Sequence, residues 1–181
     1  PSKPFGDDAD YAWAPDGKRV AVSYLDRIWT IAPDGRQPRA LSAADSGSVE
    51  REPAWSPDGT RLAYAAHNGD GFDIVVASVK TGGSAVVAAM AGDERWPSWT
   101  PDGRLVFAHR PAPPSGRAAD ASRQWDLFLA WPVSGSDTWQ TPVPLTDTAD
   151  SETFPRVSPD GKRIAFISER DAEDDVDIWW M

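Results

Sequence analysis

The chain has 181 residues, enough for one domain with a real core, and its 40% apolar and 25% charged residues are an ordinary balance for a globular protein. Acidic residues outnumber basic ones 28 to 18, and the resulting charge of −10 argues against nucleic acid or anionic lipid as a partner, because phosphate binding wants a basic face. The absence of Cys excludes disulfides and thiolate metal sites, and the longest apolar run, 85–91, is far short of the roughly 20 residues that span a bilayer.

Taken in chain order, the sequence repeats one grammar four times. Residues 1–5 look like an outer strand, comparable to 37–41. The first repeat (about 6–47) has the turn Trp13-Ala14-Pro15-Asp16-Gly17, a strand Val20–Tyr24, a second strand opened by Asp26 and a short outer strand near 40–42. The second (48–91) has Trp55-Ser56-Pro57-Asp58-Gly59, then strands at 62–66, at 73–76 after Asp73, and at 85–87. The third (92–149) has Trp99-Thr100-Pro101-Asp102-Gly103, strands at 105–108, 126–129 and 144–146, and an insertion over 110–124. The fourth (150–181) has Val157-Ser158-Pro159-Asp160-Gly161, a strand Ile164–Ser168 and a last strand opened by Asp177. The turn aspartates are spaced by 42, 44 and 58 residues, and the first two spacings match the roughly 40–45 residues of one propeller blade. No stretch carries the 3.6-residue apolar period of a helix.

The turn chemistry explains the recurrence. Pro sets φ near −65° at the first central position, the Asp side chain bonds nearby backbone, and Gly accepts positive φ. The unit Trp-Ser-Pro-Asp-Gly-(Lys/Thr)-Arg-(Leu/Ile)-Ala-(Tyr/Phe) resembles the WD-like repeat of TolB-type β-propellers, and four copies in register cover nearly the whole chain. The resemblance implies an all-β propeller of four-stranded antiparallel blades, about four of them, within a single region 1–181. Such blades form either a segment of a larger propeller or a ring closed by residues 1–5. The terminal repeats are not atypical caps, which favours the segment. The family also implies a periplasmic or otherwise extracytoplasmic setting. Related propellers bind envelope proteins, or precede the catalytic domains of amidohydrolases and prolyl-oligopeptidase-like peptidases.

Aligning the copies on the residue before Ser/Ala/Thr-Pro-Asp-Gly exposes candidate site positions. Five residues earlier stand Asp8, Glu50, Glu94 and Glu152, with Arg51 and Arg95 beside two of them. These six are the candidate binding residues at a channel mouth, where they would meet a protein or peptide with a basic element. The alternative is that each acid pairs with a neighbouring Arg or caps a turn. Asp16, Asp58, Asp102 and Asp160 are assigned to turn structure, and Asp26, Asp73, Asp126 and Asp177 to hydrogen bonds at the start of the third strand. Trp13, Trp55 and Trp99 read as core between blades; Trp96 and Phe154 stand where the other copies have Asp10 and Glu52. The acidic stretch 169–177 fits no calcium-loop spacing, and 68–71 reads as a hairpin turn.

No Gly-x-Ser-x-Gly, His-Glu-x-x-His or phosphate-loop motif is present. The two histidines, His67 and His109, close the second strands of neighbouring repeats. The expectation is a non-catalytic recognition module with no catalytic residue, metal or cofactor. The alternative is a substrate-gating part of a hydrolase whose catalytic domain lies outside this segment.

Overall fold

The computed structural model describes residues 10–41, 48–113, 124–168 and 176–181. Among these there is no α-helix; fifteen strands form four antiparallel sheets. Blade 1 comprises β1 (Tyr11–Trp13), β2 (Val20–Tyr24), β3 (Arg27–Ile31) and β4 (Arg39–Ala40), paired in that order. Blade 2 comprises β5 (Glu50–Trp55), β6 (Arg61–His67), β7 (Phe72–Ser78) and β8 (Ser84–Ala88). Blade 3 comprises β9 (Gly92–Trp99), β10 (Leu105–Pro111), β11 (Asp126–Ala130) and β12 (Val143–Pro144). Blade 4 shows β13 (Glu152–Val157), β14 (Ile164–Ser168) and β15 (Asp177–Trp180). No described helix is long and apolar enough to cross a membrane. The chain is thus an all-β stack of four propeller blades.

Each first hairpin is set by its Pro-Asp-Gly turn. The glycine N–H bonds back to the carbonyl three residues earlier, as in Gly59 N–H to Ser56 O at 2.9 Å and Gly161 N–H to Ser158 O at 2.8 Å, and Gly17, Gly59, Gly103 and Gly161 all hold positive φ of 67–85°. Where the preceding residue is hydroxylated the turn is locked twice. The Ser56 hydroxyl donates to Asp58 at 2.6 Å while accepting the Arg61 N–H at 2.9 Å, and Ser158 repeats this with Asp160 and Arg163. In blade 1 Ala14 takes that place, and the Asp16 carboxylate accepts the Lys18 N–H at 3.0 Å. Hydroxyl and backbone donors hold Asp160 below the usual carboxylate range; the Arg104 guanidinium and the Thr100 hydroxyl do the same for Asp102.

Blades pack face to face through the tryptophan column. Trp55 joins Ala14, Ala21 and Ile28 of blade 1 in one core cluster; Trp99, Leu105 and Phe107 join Ile74 and Val76 of blade 2 in another; Phe166 of blade 4 packs on Leu127 and Ala108 of blade 3. The Trp55 indole N–H donates to Ala12 O and the Trp99 indole N–H to Ala54 O, both at 3.0 Å, so each tryptophan is fastened to the preceding blade. Arg19 and Arg61, from the preceding blades, lie 4.9 Å over these rings. The fourth copy has Val157 instead of Trp, and the junction changes accordingly. Ser98 stands where blades 1 and 2 have alanine, and its hydroxyl accepts the Val157 N–H at 3.0 Å.

β10 runs through Pro111, beyond the expected 105–108, because 109–111 still pair with 92–94 of β9. Most of the expected insertion over 110–124, residues 1–5 and Asp8, and most of the acidic stretch lie outside the described residues.

Candidate functional site

The innermost strands β5, β9 and β13 share one irregularity. In each, two residues oppose a single partner: 52 and 53 face Tyr64, 96 and 97 face Phe107, 154 and 155 face Phe166. The first residue of each bulge is left-handed although it is not glycine, with φ of 60° at Glu52, 55° at Trp96 and 52° at Phe154. The second residue is always proline, which has no N–H to lose from the ladder. A bulky residue in this region costs of order 1–3 kcal/mol, and such strain persists only where the surroundings impose it.

The bulges link the blades along the inner rim. The Asp10 carboxylate accepts the Glu52 N–H at 3.2 Å, and the Glu52 carboxylate in turn accepts the Trp96 N–H at 2.7 Å. Arg95 grips the same Glu52 carboxylate through its guanidinium. At the next step the relay changes from charge to π-stacking, with the Trp96 and Phe154 rings 4.3 Å apart. Trp125 adds to this platform at 4.9 Å from Trp96, Arg95 lies between Phe72 and Trp96, and Arg110 caps Trp125 at 4.7 Å. Glu52, Trp96, Phe154, Asp10 and Arg156 all line one cleft of about 410 Å³ along the inner strands. Phe154 is 43% exposed.

The predicted acidic column sits elsewhere. Glu50, Glu94 and Glu152 are buried, at 3%, 0% and 0% exposure, and Asp8 lies outside the described residues. The Glu50 carboxylate accepts the Ile28 N–H of blade 1 at 2.8 Å. The Glu94 carboxylate accepts the Met90 N–H and meets His109 Nδ1 at 3.1 Å, and Glu152 accepts the Thr148 hydroxyl. Burial pushes the Glu94 carboxyl up, against the pull of His109, and burial also pushes up Asp126. The three carboxylates therefore bind backbone, hydroxyl and imidazole groups, and none of them lines the cleft. Arg51 and Arg95 each reach an acid of the preceding blade, Asp26 at 3.0 Å and Glu52.

The four turn aspartates lie in the hairpin turns and do not line the cleft, although Pro15 and Pro57 beside two of them do. Of the strand-opening aspartates, Asp73 accepts the Asn68 side-chain amide of its hairpin turn and Asp126 the Thr146 hydroxyl at 3.4 Å, while Asp26 meets Arg51. Among the described residues no cluster of three or more His, Asp or Glu is arranged to hold a metal. The sequence pattern singles out neither the relay role of Glu52 nor the Glu94–His109 pair. A readable signal did exist for the first, since proline inside an inner strand marks a bulge.

No protein-family model matches the chain. It is similar to a protein of Agrobacterium fabrum (26% identity over 166 residues, 88% of this chain and 50% of that one). It is also similar to the lasso peptide isopeptidase of Asticcacaulis excentricus (35% over 92 residues, 51% of this chain and 12% of that one). A third relative is the Tol-Pal system protein TolB of Hydrogenovibrio crunogenus (30% over 93 residues, 51% and 22%). The chain thus spans half the length of the first relative and less of the others. Among solved structures it superposes on one assigned to TolB from Agrobacterium tumefaciens (TM-score 0.73, 24% identity, 95% of this chain and 60% of that one). It also superposes on TolB from Acinetobacter baumannii (0.71, 18%, 95% and 40%) and on a puromycin-hydrolyzing peptidase of Mycobacterium tuberculosis (0.66, 19%, 91% and 26%). The repeat, the blade order and these superpositions agree that the chain has the fold of a TolB-like β-propeller.

Proposed function

We propose that this chain is a non-catalytic recognition module that binds a protein or peptide segment in the inner-rim cleft. The observation that carries the reading is the threefold recurrence of a left-handed, non-glycine bulge that brings Glu52, Trp96 and Phe154 to one cleft. Strain repeated at equivalent positions is a built feature, and aromatic anchors beside arginine are the usual makings of a binding hot spot. Trp96 and Phe154 form the apolar platform; Asp10 and Arg156 border it. The partner that fits is a segment with an aromatic or apolar side chain next to a basic one, drawn in by the net charge of −10. An extracytoplasmic location belongs to the same reading, through the family resemblance.

A phage-displayed random peptide library selected on the immobilised chain tests this. Enriched peptides should share an aromatic beside Lys or Arg, and Trp96→Ala or Phe154→Ala should weaken them by about 2 kcal/mol. Peptides that bind both variants as tightly as the parent would sink the cleft as the site.

The likeness to an isopeptidase and a peptidase favours a second reading, in which this cleft screens substrate for a hydrolytic domain carried elsewhere in the same polypeptide. A Gly-x-Ser-x-Gly or His-rich metal motif in the complete reading frame would select it.

A further inference from the structure

The junctions between blades 1 and 2 and between blades 2 and 3 share a buried tryptophan, its indole bond and a covering arginine. They differ at one outer corner. At the first junction Arg39 of β4, paired with Thr30 of β3, reaches across to blade 2. Its guanidinium donates to Val79 O at 3.1 Å and to Lys80 O at 3.2 Å, just after β7. The strand registers identify the equivalent residues at the second junction. Thr30 pairs with Ala21 and Val76 with Ala63, and each alanine follows its turn glycine by the same interval. The partner of Val76 on β8 is Ala85, so alanine stands there where blade 1 has Arg39. Val79 comes two residues after Ala77, which pairs with Leu62, and Pro132 comes two residues after Ala130, which pairs with Leu105. Leu62 and Leu105 face Trp55 and Trp99 in their own blades, so Pro132 is the counterpart of Val79.

The alanine leaves the corner open. A cleft of about 230 Å³ lies there between blades 2 and 3, and it shares no lining residue with the inner-rim cleft. Val76 and Ala85 line it from blade 2; Pro132, Asp137 and the half-buried Trp139 line it from blade 3. Pro132 bridges to Trp139 at the neck of the hairpin that carries Asp137. Among the described residues nothing donates to the Pro132 carbonyl, and the Asp137 carboxylate has no ion-pair partner. Arg61 borders the same cleft, but its guanidinium lies 4.9 Å over Trp99, as Arg19 lies over Trp55. The first junction thus holds two guanidinium groups, one on the tryptophan and one in the corner. The second holds only the one on the tryptophan.

We infer that this corner receives an arginine side chain of a partner peptide segment, whose guanidinium takes the place that Arg39 fills one blade earlier. It donates to the Pro132 carbonyl, meets the Asp137 carboxylate and lies against the Trp139 ring. A planar guanidinium serves all three at once, which the compact ammonium of lysine does not. The net charge of −10 draws a basic segment toward the site. This is a second contact, separate from the inner-rim cleft.

Titration of the protein with Nα-acetyl-arginine methylamide tests this, read by NMR at the Trp139 indole N–H, the signal that a Trp139→Phe spectrum lacks. The signal should shift saturably with the arginine probe. It should not move with the citrulline analogue, which keeps the shape without the charge. Asp137 is exposed, so Asp137→Asn should fold as the parent does and bind the probe about two- to fivefold more weakly. In Ala85→Arg the chain's own guanidinium should fill the corner as Arg39 does and abolish the probe's effect. Trp96→Ala should leave the shift unchanged, so that failure here and failure of the inner-rim reading are told apart. No saturable shift, an equal response to the citrulline analogue, or an Ala85→Arg chain that binds like the parent overturns the proposal. Inorganic phosphate that shifts the signal where the arginine probe does not also overturns it, and gives the cleft to an anion held by Arg61.

Discussion

The Glu94 carboxyl sits in a place unusual for its type. It is wholly buried, with one oxygen on the Met90 N–H and His109 and the other without a hydrogen-bond partner among the described residues. Burial raises its pKa, the His109 contact opposes this, and the Asp73 charge adds to the rise. A carboxyl whose folded pKa lies above its unfolded value favours folding while protonated. That contribution is present below the unfolded pKa and is lost as pH rises through the folded one. Glu94→Gln keeps the shape and cannot ionise. Urea denaturation at pH 4 and pH 7 should therefore find the variant gaining on the parent as pH rises. A difference between the two proteins that stays constant, or moves the other way, would show that the carboxylate is better served in the fold than its burial indicates.

At the scale of the element, the bulge explains what the sequence did and did not disclose. Turn and strand positions were legible because Pro-Asp-Gly admits few backbone solutions, and the predicted Val20–Tyr24 and Ile164–Ser168 coincide with β2 and β14. The side on which the acids lie was not legible. Counting five residues back from the tryptophan places an acid on the opposite face of a regular strand. The bulge inserts one extra residue, reverses that parity, and puts Glu50 and Glu152 on the face that meets the preceding blade. At Glu50, Glu94 and Glu152 the recurring acid is buried rather than displayed. The turns also nest on one another between blades. A Cβ at Gly161 would sit 3.0 Å from the Pro101 ring, whereas one at Gly17 meets nothing within 4 Å; both glycines hold φ near 68°. Alanine at either position carries the left-handed penalty, about 1 kcal/mol. Gly161→Ala should cost roughly 1 kcal/mol more, since the proline must shift. Equal urea midpoints for the two variants would mean that the nesting contributes nothing.

At the scale of the whole molecule, stability is the sum of blades and of the junctions between neighbours, as in any linear array of repeats. Extended contacts run from β1 to β5, from β5 to β9 and from β9 to β13. The junctions differ in quality. Those between blades 1 and 2 and between blades 2 and 3 have a buried tryptophan, its indole bond and a covering arginine. The junction between blades 3 and 4 has Val157 in the tryptophan's place, its N–H on the Ser98 hydroxyl, and a smaller buried apolar cluster, with the Trp96–Phe154 stack at the rim. The arginine that would cover a tryptophan there, Arg104, is turned to Asp102 instead. Blade 4 should therefore open before the rest. Hydrogen exchange reads this difference directly. The amides of β13 to β15 should exchange through openings of lower free energy than those of β5 to β7, which have packed blades on both sides. Exchange at one common rate across all four blades would instead mean that the array unfolds as a single unit, with the Ser98 hydroxyl making good the loss of the tryptophan.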